Sequence, residues 1–326
     1  MTDVFNWGIL GPGRIAHNFA RDLQRLTDAR LLAVGSRDAA RAVEFAAQFG
    51  APRAYGSYNE LASDPDVEAI YVATPHPLHL ETARLCLERG KAVLCEKPLT
   101  ANLPQAEALV ACARQHGAFL MEAMWTRFNP VTVQVRAWLA EGCIGRPRMV
   151  TADFGFRAVV DPAGRLFNPS LAGGALLDVG VYVVSFAQMV FGAAPTQVAA
   201  VAEVGDTGVD EQTALSLLYS DGGIASLSCA IRTSTPQIAR IDGTDGSITM
   251  PSFWHASEAT LERAGSEATL FRGDAGYHYE AAEVMACVRA GRLESATMPL
   301  DESLSVLATL DAARRLVGVR YPFDPR

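Results

Sequence analysis

The sequence predicts an α/β protein: an N-terminal doubly wound parallel sheet followed by an α/β domain built on a largely antiparallel, open sheet. Three observations predict it. Short apolar runs alternate with helical patterns through the first third of the chain. After about Arg148 the pattern changes to alternating strands separated by turn signals. A chain of 326 residues, 49% hydrophobic and 20% charged, also suits two cores better than one.

Phe5–Leu10 is an apolar run too short for a helix and reads as a buried strand, as do 31–35, 70–73 and 92–95. Between them the apolar positions recur at helical spacing over 15–26, 39–49 and 79–88, the last ending at Gly90. Residues 105–116 and 119–122 add one more helix and strand. Strand and helix alternating at this spacing require a parallel sheet covered on both faces. Further on, 213–219 and 224–232 flank Ser220-Asp221-Gly222-Gly223, and 237–241 and 247–250 flank a second glycine-containing turn. Both read as hairpins. Helical stretches at 176–191, 279–290 and 302–317 are expected to pack on that second sheet. The predicted domains are 1–122 and 123–326.

Gly11-Pro12-Gly13-Arg14-Ile15-Ala16 follows the first strand directly and opens the first helix. In that context G-x-G-x-x-A is the Rossmann dinucleotide fingerprint. Gly11 permits the tight turn, Gly13 lets backbone approach a pyrophosphate, and Ala16 allows close helix packing. Free N–H groups at Gly13, Arg14 and Ile15 then face the phosphates with the helix dipole behind them. The second strand ends Gly35-Ser36-Arg37-Asp38. Ser36 in the usual acidic position, with Arg37 beside it and Arg41 one turn on, suits the 2′-phosphate of NADP. A register two residues later would put Asp38 on the ribose and favour NAD.

Composition narrows the partners. A formal net charge of −8 argues against a nucleic-acid or anionic-membrane surface. Cys86, Cys95, Cys112, Cys143, Cys229 and Cys287 show neither metal-ligand spacing nor a dense disulfide framework. No metal is expected, and the six read as buried thiols. No basic, apolar leader precedes the first strand. The apolar stretch 175–194 contains Asp178 and lacks flanking cations, so it reads as a buried helix rather than a membrane span. A cytoplasmic location is expected.

Three further motifs carry a resemblance: Thr74-Pro75-His76-Pro77-Leu78-His79, Cys95-Glu96-Lys97-Pro98, and Gly173-Gly174 leading to Asp178 and Tyr182. With the fingerprint, the chain resembles the Gfo/Idh/MocA oxidoreductases over nearly its whole length. Glu122-Ala123-Met124-Trp125-Thr126-Arg127-Phe128, and Tyr rather than His at 182, make it most similar to the branch that oxidises dihydrodiols or D-xylose. The resemblance implies that Thr74, Pro75, His76, Glu96 and Lys97 line the cofactor and that Lys97 also acts in catalysis. It implies a homo-oligomer formed through the open sheet, and raises the expectation of a cis bond before Pro98. His79, Trp125, Phe154 and Asp178 are expected to border substrate, with Arg127 as a further pocket candidate.

Asp178 and Tyr182 are four residues apart, which puts both on one helix face. A phenol titrates near about pH 10 in water, so proton transfer near neutrality needs a cation to stabilise its anion. Tyr182 is therefore expected to be the general acid/base, Lys97 the cation, and Asp178 the orienting or hydroxyl-binding group. The 157–172 loop before them is long enough to serve as a lid. The expected function is NADP-dependent hydride transfer to or from an aldose such as D-xylose, or a cyclic vicinal diol. A sugar oxidoreductase with tightly bound cofactor and a non-catalytic nucleotide sensor are the alternatives.

Overall fold

A computed structural model describes residues 4–325. The chain opens with β1 (Phe5–Leu10), α1 (Arg14–Leu23), β2 (Ala29–Gly35), α2 (Ala39–Phe49), β3 (Arg53–Tyr55) and α3 (Tyr58–Ala62). It continues with β4 (Ala69–Val72), α4 (His79–Leu87), β5 (Ala92–Glu96), α5 (Leu103–His116) and β6 (Leu120–Ala123). The strands form one parallel sheet in the order β3-β2-β1-β4-β5-β6. The order reverses between β1 and β4, and the crevice outside the carboxyl ends of these strands is where such sheets take ligands.

Local chemistry explains the helices. On α1 the buried residues Ala16, Phe19, Ala20 and Leu23 make one stripe at helical spacing. Phe19 stacks on Tyr71 of β4 with centroids 3.9 Å apart and meets the Trp7 ring edge-on at 5.4 Å. Replacing Trp7 or Phe19 by Ala would cost about 3–5 kcal/mol at such enclosed positions. Asp38 caps α2, Asn102 caps α5, and both helices end on a left-handed glycine, Gly50 and Gly117. The short β3 and α3 fall below what periodicity detects.

The second region contains α6 (Pro130–Ala140), β7 (Pro147–Gly155), a π-helical turn (Leu176–Gly180) running into α7 (Val181–Phe191), and β8 (Gln197–Val204). β9 (Asp210–Leu218), β10 (Ile224–Ala230), β11 (Ala239–Gly243), β12 (Gly246–Met250), β13 (Glu258–Arg263) and β14 (Thr269–Arg272) complete its sheet. The strand order is β14-β13-β12-β11-β7-β10-β9-β8, antiparallel except for the β7–β10 pair. Residues alternate across it. Val150, Ala152, Phe154, Leu215, Leu217, Ala225, Leu227 and Ile241 are buried on the face that α7 covers, whereas Met149, Val201 and Ile224 lie exposed on the other. The stretch Pro169–Phe191 is long and apolar enough to cross a membrane by length and composition, but 83% of its apolar 18-residue window is buried within the protein.

The last helices are α8 (His278–Arg289) and α9 (Leu300–Leu316). Two compact units result: residues up to Trp125 together with Gly276–Ser303, and Thr126–Ala275 together with residues from Leu304 onward. One packing expectation is corrected. The helix read at 279–290 does not cover the second sheet; α8 packs on α1 in the first unit. The Tyr277 amide donates to Asp22 Oδ2 at 2.7 Å, and Arg289 pairs with Asp28 at 2.6 Å while lying over the Phe5 ring. Those partners are charges on α1 and the turn after it, invisible to any pattern within the helix itself.

Candidate active site

In the first unit, the turn after β1 is shaped for a phosphate. Gly11 has φ +88°, and a Cβ there would sit 3.1 Å from the Ala73 backbone. Gly13 is the opposite case: a Cβ would meet nothing within 4 Å, so its backbone borders open space. Gly13 is also the N-cap of α1, where no side chain caps the helix and no acidic residue stands in the first turn. Uncapped N–H groups at a helix start without local negative charge fit a pyrophosphate. Arg14 and Ile15 are the first two residues of that helix.

The end of β2 resolves the register. Asp38 Oδ1 accepts from the Ala40 and Arg41 amides at 3.0 and 3.3 Å, so its carboxylate is the cap of α2. Ser36 Oγ in turn accepts from the Asp38 amide at 3.1 Å. Ser36 is buried at the strand end, and the Arg37 and Arg41 side chains are exposed beside it. With Asp38 Oδ1 capping the helix, the other polar groups at the end of β2 are the Ser36 hydroxyl and the Arg37 and Arg41 guanidinium groups.

Thr74, Pro75 and His76 follow β4, and His76 opens a 3-10 turn. His79 is fully buried, with Nδ1 2.9 Å from Pro98 O and Nε2 2.7 Å from Thr74 O. Burial holds its pKa below the ordinary value, although both carbonyls favour the protonated ring. With a carbonyl of each loop facing it, the ring bridges the β4 and β5 loops, and when neutral it donates to one of the two carbonyls. The sequence expectation put His79 beside substrate; both of its nitrogens face backbone carbonyls.

At the end of β5, Glu96 accepts from the Tyr71 hydroxyl through Oε1 and from the Lys97 amide through Oε2, the latter at 3.1 Å. The Lys97–Pro98 bond is cis, and the Leu99 amide donates to Glu122 Oε1 at 2.8 Å. Lys97 is only partly buried. Nearby in the same unit Glu280 is fully enclosed, and burial followed by the charges of Glu96 and Asp22 drives its pKa well above the carboxylate range. Glu96 fixes the Lys97 backbone through its amide. Trp125 stacks on Tyr277 at 4.5 Å.

In the second unit, Asp178 lies in the π-helical turn and Tyr182 in the first turn of α7, and both are buried. Widened turns of this kind occur often at functional sites. Asp178 Oδ1 pairs with Arg165 Nη1 at 2.7 Å. The Tyr182 ring lies 5.4 Å from that of Phe154, which stacks at 4.8 Å on Trp254. Trp254 is held in turn: its Nε1 donates to Gln237 Oε1 at 2.9 Å. Gln237 and Ser252 both adopt left-handed φ, +61° and +47°, a backbone cost of the kind found where geometry matters more than ease. The phenol therefore stands beside an aromatic cluster, with the Asp178 carboxylate one turn earlier in the same run of helix.

The helix start is fixed from elsewhere. Asp210 Oδ2 accepts from the Leu176 amide at 2.7 Å and from Thr213 Oγ1 at 3.0 Å. A Cβ on Gly174, at φ +118°, would fall 2.2 Å from Asp210 Oδ1. Arg127, read as a pocket candidate, is buried and donates to Ser185 O and Oγ at 2.8 and 2.9 Å, joining the segment after Trp125 to α7. Arg165, Trp254 and Asp210 escape sequence reasoning as site residues. The lid-length loop before the helix is the one signal that pointed to Arg165.

Comparison with known proteins agrees with this geometry. Residues 5–124 match the Gfo/Idh/MocA description "Oxidoreductase family, NAD-binding Rossmann fold", and residues 132–249 match "GFO/IDH/MocA C-terminal domain". The chain is 41% identical to mouse (Mus musculus) trans-1,2-dihydrobenzene-1,2-diol dehydrogenase over 99% of its length and 100% of that protein's. It is 40% identical to the human (Homo sapiens) protein of the same name, with the same coverage. Among solved structures, KijD10, a 3-ketoreductase from Actinomadura kijaniata in complex with NADP and TDP-benzene, is 29% identical with a TM-score of 0.85 over 97% of this chain and 98% of that one. An aldose-aldose oxidoreductase from Caulobacter crescentus, at 24% identity and a TM-score of 0.88 over 96% and 97% of the two chains, shares the fold. The chain belongs to the Gfo/Idh/MocA oxidoreductase family.

Proposed function

We propose that this protein is an NADP-dependent dehydrogenase whose preferred substrate is a cyclic vicinal diol, with ring-form aldoses as weaker substrates. The observation that carries the reading is the Tyr182 ring beside the stacked Phe154–Trp254 pair, with Asp178 one turn earlier in the same run of helix. A phenol and a carboxylate suit two adjacent hydroxyls, and stacked aromatic faces suit a flat ring. The name of the 41% identical mouse relative agrees.

The cofactor-binding surface is assigned to Gly11, Gly13, Arg14, Ile15, Ser36, Arg37, Arg41, Thr74, Pro75, His76, Glu96 and Lys97. When bound, NADP supplies the hydride acceptor. Tyr182 takes the proton of the hydroxyl being oxidised, as the carbon beneath gives up its hydride and the C=O bond forms. Lys97, assigned to catalysis by its Glu-Lys-Pro motif, is the cation proposed to favour the tyrosinate that does this. Asp178, oriented by Arg165, accepts from the neighbouring hydroxyl, and Trp125 and Phe154 provide apolar surface. Glu96 positions Lys97, and His79 braces the two loops.

Tyr182→Phe tests this. Loss of the proton-transfer group should lower kcat about 100-fold or more for oxidation of trans-1,2-dihydrobenzene-1,2-diol, with NADPH affinity unchanged by fluorescence titration. A kcat near wild type would remove Tyr182 from the reaction. A kcat/KM for D-xylose above that for the diol would reverse the substrate order.

The outer face of the second sheet supports a homo-oligomer. Met149 and Ile224 are register neighbours on it, 48% and 43% exposed, and form an apolar spot at which a second copy could pack. Six free thiols, five of them buried, fit a cytoplasmic location. The net charge of −8 fits the absence of nucleic-acid and membrane partners.

A further inference from the structure

The helix bearing Asp178 and Tyr182 begins at an awkward place. Ala172 has φ +55° and Gly174 φ +118°, and between them a Cβ on Gly173 would press to 2.7 Å on Leu166 O. Residues in such conformations stay put only when their surroundings hold them. One holder comes from 148 residues further along the chain: the Tyr321 hydroxyl donates to Gly173 O at 2.6 Å, within the core of the second unit.

Tyr321 is itself fastened at two further points. Its ring lies under the Arg314 guanidinium, 4.4 Å from the centroid, and its amide donates to Asp324 Oδ2 at 2.9 Å. Asp324 also accepts from Arg314 at 2.8 and 3.3 Å, and Arg314 accepts no slack on its other side, pairing with Asp311 at 2.6 Å. Tyr321, Arg314 and Asp311 are 4%, 4% and 5% exposed. Burial, then the nearby Asp210, keep the Tyr321 phenol protonated across the working pH range, so it remains a donor. A buried arginine, aspartate and tyrosine with a half-buried second aspartate are more than is needed to end a helix. From this cluster the Tyr321 hydroxyl reaches the carbonyl five residues before Asp178.

We infer that the segment after α9 is a latch, in which Tyr321, braced by Arg314 and Asp324, is a positioning residue that sets where Asp178 and Tyr182 stand by holding the Gly173 carbonyl. The inference rests on the assignment of Tyr182 to proton transfer. Tyr321 touches no reacting atom. Its effect passes through Gly173 and Gly174 into the π-helical turn, so losing its hydroxyl loosens that turn without emptying the core.

Tyr321→Phe removes one oxygen and keeps the ring under Arg314. Hydrogen–deuterium exchange should show amides of 173–182 exchanging about tenfold faster, with the β9 and β10 amides unchanged. In parallel, kcat for NADP-linked oxidation of trans-1,2-dihydrobenzene-1,2-diol should fall about tenfold with KM within twofold. Unchanged exchange across 173–182, or a uniform rise across the whole second unit, overturns the latch. Asp324→Asn, which loosens the brace and leaves Tyr321 intact, should give a smaller change of the same pattern, and it decides the matter if Tyr321→Phe does not fold. The exchange result stands independently of turnover. A fully active Tyr182→Phe would therefore refute the reaction assignment, whereas unaltered exchange in Tyr321→Phe would refute the latch alone.

Discussion

Arg165 and Asp178 form an ion pair of unequal burial: the guanidinium is 61% exposed and the carboxylate 8%. The exposed partner stands on the loop that leads into the helix, and the enclosed partner stands one turn before Tyr182. A pair of this kind orients more than it stabilises. The exposed arm is screened by water and salt, so its net worth to folding is about 1 kcal/mol or less. The carboxylate it aims is the group assigned to the second hydroxyl of a diol.

Arg165→Ala should therefore raise KM for the diol about tenfold, the scale of one charge-assisted hydrogen bond, while kcat stays within threefold. Combined with Asp178→Asn, it should cost no more than Asp178→Asn alone, because both changes remove one function. Steady-state kinetics on the four proteins of the cycle measures this. Additive losses would show that Arg165 meets substrate by its own route.

How far such a site is legible in sequence depends on how local its chemistry is. Gly11, Gly13 and Ala16 were readable because the turn, the close approach and the helix packing all fall within six residues. The bounds of β1 and α2 were readable for the same reason: apolar period and capping are properties of neighbours. Asp38 was visible but ambiguous, since a ribose acid and a helix cap look alike until the Ala40 and Arg41 amides are seen bonded to it. Tyr182 was picked out by the family resemblance together with its spacing from Asp178, yet the ring stacked on its neighbour Phe154 was not, because Trp254 lies 100 residues from Phe154 in the chain. The helix α8 was found and given the wrong partner: its binding to Asp22 and Asp28 is set by tertiary packing, which no amphipathic stripe encodes.

The commitment of Asp38 to α2 leaves Arg37 as the charged residue at the end of β2 best placed for a 2′-phosphate. Arg37→Ala should raise KM for NADP about 10- to 100-fold, the 1.5–3 kcal/mol of a charge-assisted contact, and change KM for NAD less than threefold. Coenzyme kinetics with both nucleotides tests it. An equal effect on the two would place Arg37 away from the phosphate.

Asp210 makes the start of the Asp178–Tyr182 helix sensitive to pH. Its carboxyl is fully buried, and desolvation lifts its pKa to about 7 against the opposing pull of the Leu176 amide, Thr213 Oγ1 and Arg314. Tyr321 and Cys229 also feel its charge. In the unfolded chain the same group titrates near about 3.9, so the folded state binds this proton more tightly. The sign follows: between about pH 4 and 7 the unfolded carboxyl is ionised while the folded one is still protonated, and raising the pH removes stability at up to about 1.4 kcal/mol per unit. Above the folded value the loss levels off. Asp210→Asn keeps an oxygen for Leu176 and Thr213 and cannot ionise, so it should gain on the wild type as pH rises. Melting temperatures taken from pH 5 to pH 8 should show the variant's advantage growing by several degrees over that range. Glu280 and His79 titrate in both proteins and cancel in the difference. Parallel curves would mean that Asp210 is ionised throughout, and that Arg314 lies close enough to hold it so.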